Sequence, residues 1–172
     1  RGGVVLRRLA LRDFVIVPAL ELDFHAGFSV LTGETGAGKS ILVDALGLLM
    51  GARADASVVR SGRERAELSA EFSLPPGSPA LDWLASQDFE ADGDLILVRR
   101  MIDSNGRSRG YIGGVPANMS QLRELGTLLV DIHGQHAHQA LMRESAQREL
   151  FDQHAGLGQQ VAGVVRCYRE WQ

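Results

Sequence analysis

The residues best suited to chemistry stand together between positions 33 and 40. Gly33-Glu34-Thr35-Gly36-Ala37-Gly38-Lys39-Ser40 satisfies G-x-x-x-x-G-K-[ST] in full. The spacing has a physical reason. Glycines let the backbone wrap an anion with its own N–H groups, where side chains would collide with it. A helix starting at the end of the loop sets the positive end of its dipole beneath the same anion. The lysine of the motif reaches β- and γ-phosphates, and the next hydroxyl ligates Mg²⁺. Those roles fall on Lys39 and Ser40. Lys39 is the sole lysine of the chain; the other basic residues are arginines.

A second unusual stretch is Asp131-Ile132-His133-Gly134-Gln135-His136-Ala137-His138-Gln139. Leu128 to Ile132 has the pattern of a buried strand, and Leu128-Leu129-Val130-Asp131 looks like the apolar run that ends in a Walker-B aspartate. Ile132 follows Asp131, so no catalytic glutamate is adjacent. The closely spaced histidines admit a metal site, but Cys167, the only cysteine, sits far away in a helical stretch. A solvated polar loop is also open. The favoured reading is a strand-to-loop junction that sets Gln135 beside a bound nucleotide. A glutamine can donate to a phosphate or an attacking water and accept from a metal-bound water.

Arginines form two further groups. Arg53, Arg60, Arg63 and Arg65 follow the phosphate-loop helix, diluted by Asp55, Glu64 and Glu67. Arg99, Arg100, Arg107 and Arg109 flank Asn105-Gly106, a strong hairpin signal. Each group reads either as a solvated, ion-paired surface or as a contact to phosphates that carries no sequence information.

These residues need elements to hold them. Residues 4–12 and 15–24 read as strands, and Phe28 to Leu31 as a short apolar strand leading into the loop. Ser40 to Met50 reads as a helix, with Ile41, Leu42, Ala45, Leu48 and Leu49 at helical spacing and Gly51 as its stop. Leu68, Ala70, Phe72 and Leu74 alternate cleanly, which predicts a strand with one solvated face. A short helix starts at Leu81, strands cover 95–102 and 108–112, and a helix covers 118–126. From about Gln139 the chain turns helical, with Leu150, Phe151, Leu157, Val161, Val164, Val165 and Tyr168 as a rough apolar stripe.

Composition narrows the class. The 172 residues are 45 % hydrophobic and 23 % charged, which excludes a disordered tail or a fibrous repeat. No apolar run approaches the ~18 residues of a membrane span. The net charge is −3, so bulk charge does not announce nucleic-acid binding. A single cysteine fits a reducing compartment.

Three blocks, in order, carry a specific resemblance. Phe28 through Ile41, continued by Val43-Asp44-Ala45-Leu46 and Gly51-Ala52-Arg53-Ala54, is similar to the amino-terminal head segment of the RecN family, bacterial DNA-repair ATPases related to SMC proteins. Val130 to His136 with His138-Gln139 matches a second block of that family. Gly106-Arg107-Ser108-Arg109 with Tyr111-Ile112 matches a third. The resemblance implies an α/β fold: a P-loop ABC-type ATPase head lobe, with a mixed sheet around the Walker A helix, an antiparallel β arm and the root of a coiled coil. It implies that residues 1–156 form the amino-terminal lobe and 157–172 begin the coiled coil. The carboxy-terminal half of the head, with signature motif, Walker B and catalytic glutamate, is absent.

By the same resemblance Gly33, Glu34, Thr35, Gly36, Ala37, Gly38, Lys39, Ser40, Ile41 and Arg60 hold ATP. Ser40 and Gln135 hold Mg²⁺, and Lys39 and Gln135 serve catalysis. Ile41 stands where many ABC proteins have a second hydroxyl, so only its backbone N–H is left for the α-phosphate. Implied partners are the other half of the head, a second head that engages on ATP binding, and DNA contacted without sequence preference, with no membrane. The implied location is the bacterial cytoplasm, at the nucleoid. The competing reading is a self-contained P-loop NTPase or kinase using Asp131 as Walker B. A non-enzymatic nucleotide sensor is a third. A GTPase is disfavoured, because a guanine-reading Asn-Lys-x-Asp needs a second lysine.

Overall fold

The computed structural model describes residues 3–25, 27, 29–30 and 38–130. Strands β1 (Val5–Phe14) and β2 (Val17–Asp23) precede helix α1 (Gly38–Leu49) and a short 3-10 turn at Ala56–Val58. Then come β3 (Arg65–Ser73), α2 (Pro79–Ser86), β4 (Leu95–Asp103), β5 (Ser108–Ile112), β6 (Val115–Ala117) and α3 (Met119–Leu129). The strands form one sheet in the order β2-β1-β3-β4-β5-β6, and every described pairing is antiparallel.

Alternation decides which face is inside. Leu9 and Leu11, then Ala66, Leu68, Ala70 and Phe72, then Ile96, Val98, Arg100 and Ile102 point to one buried face. Helix α1 covers β3 and β4 there, α3 covers β5, and α2 packs on α3. α1 contributes Leu42, Ala45, Leu48 and Leu49 to the core at the predicted spacing. Each fully buried leucine is worth up to ~3 kcal/mol of transfer free energy. Gly51, at φ +82°, stops α1 in the left-handed conformation that favours glycine.

Asn118 starts α3 with a capping box. Its side chain accepts from the Gln121 N–H at 2.9 Å, and the Gln121 side chain accepts from the Asn118 N–H at 3.0 Å. Leu122, Leu125 and Leu129 then fall on one buried stripe. This corrects one expectation. Leu128 and Leu129 finish a helix rather than open a buried strand, because the stripe carries the helical period through them. Strand β6 was not foreseen. Its signal was Gly113-Gly114, whose paired positive φ angles of 57° and 82° suit a two-residue hairpin loop. Ser29 and Val30 carry no strand assignment. The rest of the expected 28–31 strand, residues 131–156 and the expected coiled-coil root at 157–172 lie outside the described residues.

Candidate functional site

Helix α1 opens on Gly38-Lys39-Ser40, so the last three residues of the glycine-rich motif form its first turn. Ser40 is exposed and Ile41 half-buried. No acidic side chain occupies that turn, so no carboxylate within the first turn neutralises the dipole's positive end. An anion with a divalent cation suits this donor set: the first N–H groups of a helix, a hydroxyl in its first turn and a lysine next to it in sequence. Gly33, Glu34, Thr35, Gly36 and Ala37 lie outside the described residues, as do Asp131 and Gln135 and the histidines at 133, 136 and 138. The described residues contain no group of three or more His, Cys, Asp or Glu able to hold a metal.

Arg60 sits in the segment that buttresses the β1–β2 turn. That turn is strained: Asp13 and Val15 have φ of 49° and 52°, and a β-branched residue rarely adopts such an angle. Neighbouring backbone holds it. The Val15 N–H donates to the Val58 carbonyl at 2.8 Å, and the Arg60 N–H to the Asp13 carbonyl at 2.8 Å. The Asp13 carboxylate faces Arg60 Nη1 at 3.6 Å and Arg63 Nε at 3.3 Å. Arg60 is thus brought to Asp13. Among the described residues, no hydrogen bond or ion pair joins it to Ser40.

The hairpin arginines do not form one surface. Arg99 faces the open side of the sheet, where Nη2 meets Glu67 Oε2 at 3.0 Å; Arg65 Nε meets Glu67 Oε1 at 2.8 Å. Partial burial opposes ionisation of Glu67, but the two guanidiniums outweigh it and hold the carboxyl below its ordinary value of 4.5. Arg100, one residue on, points inward and is 2 % exposed. It belongs to the core side of β4 and so takes no part in either surface reading of the hairpin arginines. Arg107 and Arg109 are exposed.

Sequence reasoning also missed what Arg100 does. Nη1 donates to the Leu48 carbonyl at 2.5 Å and to the Ala52 carbonyl at 2.6 Å, while Nη2 donates to Ser108 Oγ at 3.0 Å. Burial, with the like charge of Arg123 added, pushes its pKa below the ordinary arginine value. Arg123 of α3 donates from Nε to the Gly51 carbonyl at 3.0 Å. The signal for Arg100 was its in-facing place in the series Ile96, Val98, Arg100, Ile102. Arg123 carried none, since its partner lies 72 residues away.

An antiparallel sheet with helices on one face, one of them opening on Gly38-Lys39-Ser40, is the fold of SMC head domains. Solved structures carry the same fold. One is a chain described under the structural biochemistry of ATP-driven dimerization and DNA-stimulated activation of SMC ATPases. It matches 86 % of this chain and 97 % of its own length, with TM-score 0.62 and 21 % identity. The Smc head domain with an extended coiled coil from Pyrococcus furiosus matches 97 % of this chain and 46 % of its own, with TM-score 0.65 and 20 % identity. The chain belongs to the AAA-domain family, whose model matches residues 8–112. The likeness to RecN is borne out by curated relatives. DNA repair protein RecN of Xylella fastidiosa (strain 9a5c) is 46 % identical over 98 % of this chain. The Bacillus subtilis (strain 168) protein of that name is 40 % identical over 96 % of it. The chain spans 30 % and 28 % of the length of these two relatives. Among the described residues no helix is long and apolar enough to cross a membrane.

Proposed function

We propose that this chain is the amino-terminal, ATP-binding segment of a DNA-repair ATPase head. The observation that carries the reading is the helix that opens on Gly38-Lys39-Ser40 without an acidic residue in its first turn. Backbone N–H groups from Gly33 to Ile41 hold the phosphates, and the Lys39 ammonium holds the β- and γ-oxygens. The Ser40 hydroxyl and the Gln135 side-chain carbonyl ligate Mg²⁺, which when bound neutralises charge on the phosphate oxygens. Arg60 shares its charge between Asp13 and the nucleotide. Residues 1–156 form the lobe and 157–172 begin a coiled coil.

Catalysis is completed by the remaining half of the head and by a second head. ATP binding engages the heads and hydrolysis releases them. RecN-named relatives support the assignment to repair. DNA is then held by its backbone, without sequence readout. The protein works in the bacterial cytoplasm, at the nucleoid.

The test is Lys39→Ala in the intact protein. Loss of one charge-assisted contact weakens MgATP binding about 10- to 100-fold. ATP-dependent dimerisation and turnover fall with it. Retention of all three sinks the assignment.

A further inference from the structure

We propose that Arg100 and Arg123 are positioning residues for phosphate binding: from β4 and from α3 they hold the carboxyl-terminal end of α1, the helix whose other end carries Lys39 and Ser40. The inference rests on the phosphate-loop reading above and adds residues remote from the loop.

A helix end leaves its last carbonyls without partners and carries partial negative charge. α1 has no basic residue in its last turn. Its cations are imported. The carbonyls of Leu48 and Ala52 accept from Arg100, and that of Gly51 accepts from Arg123. The two guanidiniums come from different elements, so they fix the helix end along two directions. Arg100 also reaches Ser108 on β5, which ties the same point to the hairpin.

The cost of Arg100 argues for a role beyond packing. A buried cation loses its hydration and normally needs an anion beside it. Among the described residues Arg100 has no carboxylate within ion-pair distance; its partners are the Leu48 carbonyl in the last turn of α1, the Ala52 carbonyl just beyond that helix and one hydroxyl. A close-packed junction surrounds this anchor. A Cβ on Gly51 would stand 2.7 Å from Arg123 Cγ and 2.8 Å from the Met119 carbonyl oxygen. A Cβ on Gly126 would stand 2.7 Å from Met50 Cβ. No slack is left between the end of α1 and α3.

The apolar contact of Leu42, Ala45, Leu48 and Leu49 is non-directional and fixes axial position poorly. Directional donors at one end do better. A 12-residue helix is a rod of about 18 Å, so a shift at its end is felt at its start. Misplacing a binding group by about 1 Å costs up to about 100-fold in a well-formed site.

The test uses the intact protein and titrates MgATP calorimetrically, well below each variant's Tm. Arg123→Met keeps the aliphatic stem and removes the donors, and it raises the MgATP Kd about tenfold. Arg123→Lys, which can still donate to the Gly51 carbonyl, brings the Kd back to within about threefold of the parent. Arg100→Met has the larger effect. Should it fail to fold, the two Arg123 variants decide. A Tm that falls while the Kd stays within about twofold marks a structural role only and overturns the proposal. Lys39→Ala separates the two readings. A weakened Lys39→Ala with an unchanged Arg123→Met removes this inference alone. An unaffected Lys39→Ala removes the phosphate-loop reading and this inference with it.

Discussion

Arg99 and Arg100 are chain neighbours with opposite fates, because successive strand residues face opposite sides of the sheet. Arg99 meets water and the Glu67 carboxylate; Arg100 meets the core and three oxygen acceptors. The first arrangement gives a pH-dependent contribution whose sign is fixed. Glu67 titrates below its ordinary value of 4.5. Its stabilisation is therefore complete above that value and is lost as the pH falls through the lower folded-state value. The pair is partly exposed, so the contribution at neutral pH stays below about 1 kcal/mol. Glu67→Gln is expected to lower Tm slightly at neutral pH. The gap to the parent should close as the pH falls below the ordinary value of 4.5 and through the lower folded-state value. A gap that widens on acidification would contradict the assigned pairing. Thermal unfolding across a pH series reads it directly.

At the scale of elements, the turn after α1 is where conformation and packing coincide. Gly51 combines φ +82° with neighbours at 2.7 and 2.8 Å, whereas Gly62 has φ +77° and nothing within 4 Å. The two separate strain from collision. Gly62→Ala is expected to cost about 1 kcal/mol, the left-handed penalty alone. Gly51→Ala must also displace Arg123 and the Met119 carbonyl, and should cost about 2–4 kcal/mol. Equal losses in denaturant unfolding would show that the α1–α3 junction yields easily. The same region shows how far sequence reading reaches. The 3.6 period from Ile41 to Leu49 gave α1, and the period of two in β3 gave a half-buried strand. Residues 128–130 misled because three apolar residues fit either period when read alone. β6 escaped because it has three residues and contains Pro116, which only a sheet edge tolerates. The glycine-rich motif stands out in the sequence because its spacing is local. The arginine bonds to the last turn of α1 and the turn after it do not, since they span 48 to 72 positions.

The molecule as a whole has its own core, and the proposed head reading divides its chemistry. Phe14, Leu49, Leu68, Phe72, Ile96 and Leu122 are all within 2 % of full burial and form the centre of the described lobe. In the proposed reading the chain carries its own phosphate-binding residues. Turnover needs more: a group to orient water and charges aimed at the transferred phosphoryl group. The sequence contains no Ser-Gly-Gly-Glu-like signature and no apolar run ending in Asp-Glu. RecN-named relatives have roughly 70 % of their length outside the match. The expected behaviour of the 172-residue chain by itself is therefore MgATP binding with turnover below about 1 % of the intact protein's rate, because each missing transition-state contact removes about 100-fold. Calorimetry and a phosphate-release assay on the isolated chain measure both quantities. Turnover approaching that of the intact protein would mean that Asp131 serves as a resident Walker B and that catalysis needs no second half. Binding without turnover, restored when the remaining chain is supplied in trans, is the outcome that a divided head requires.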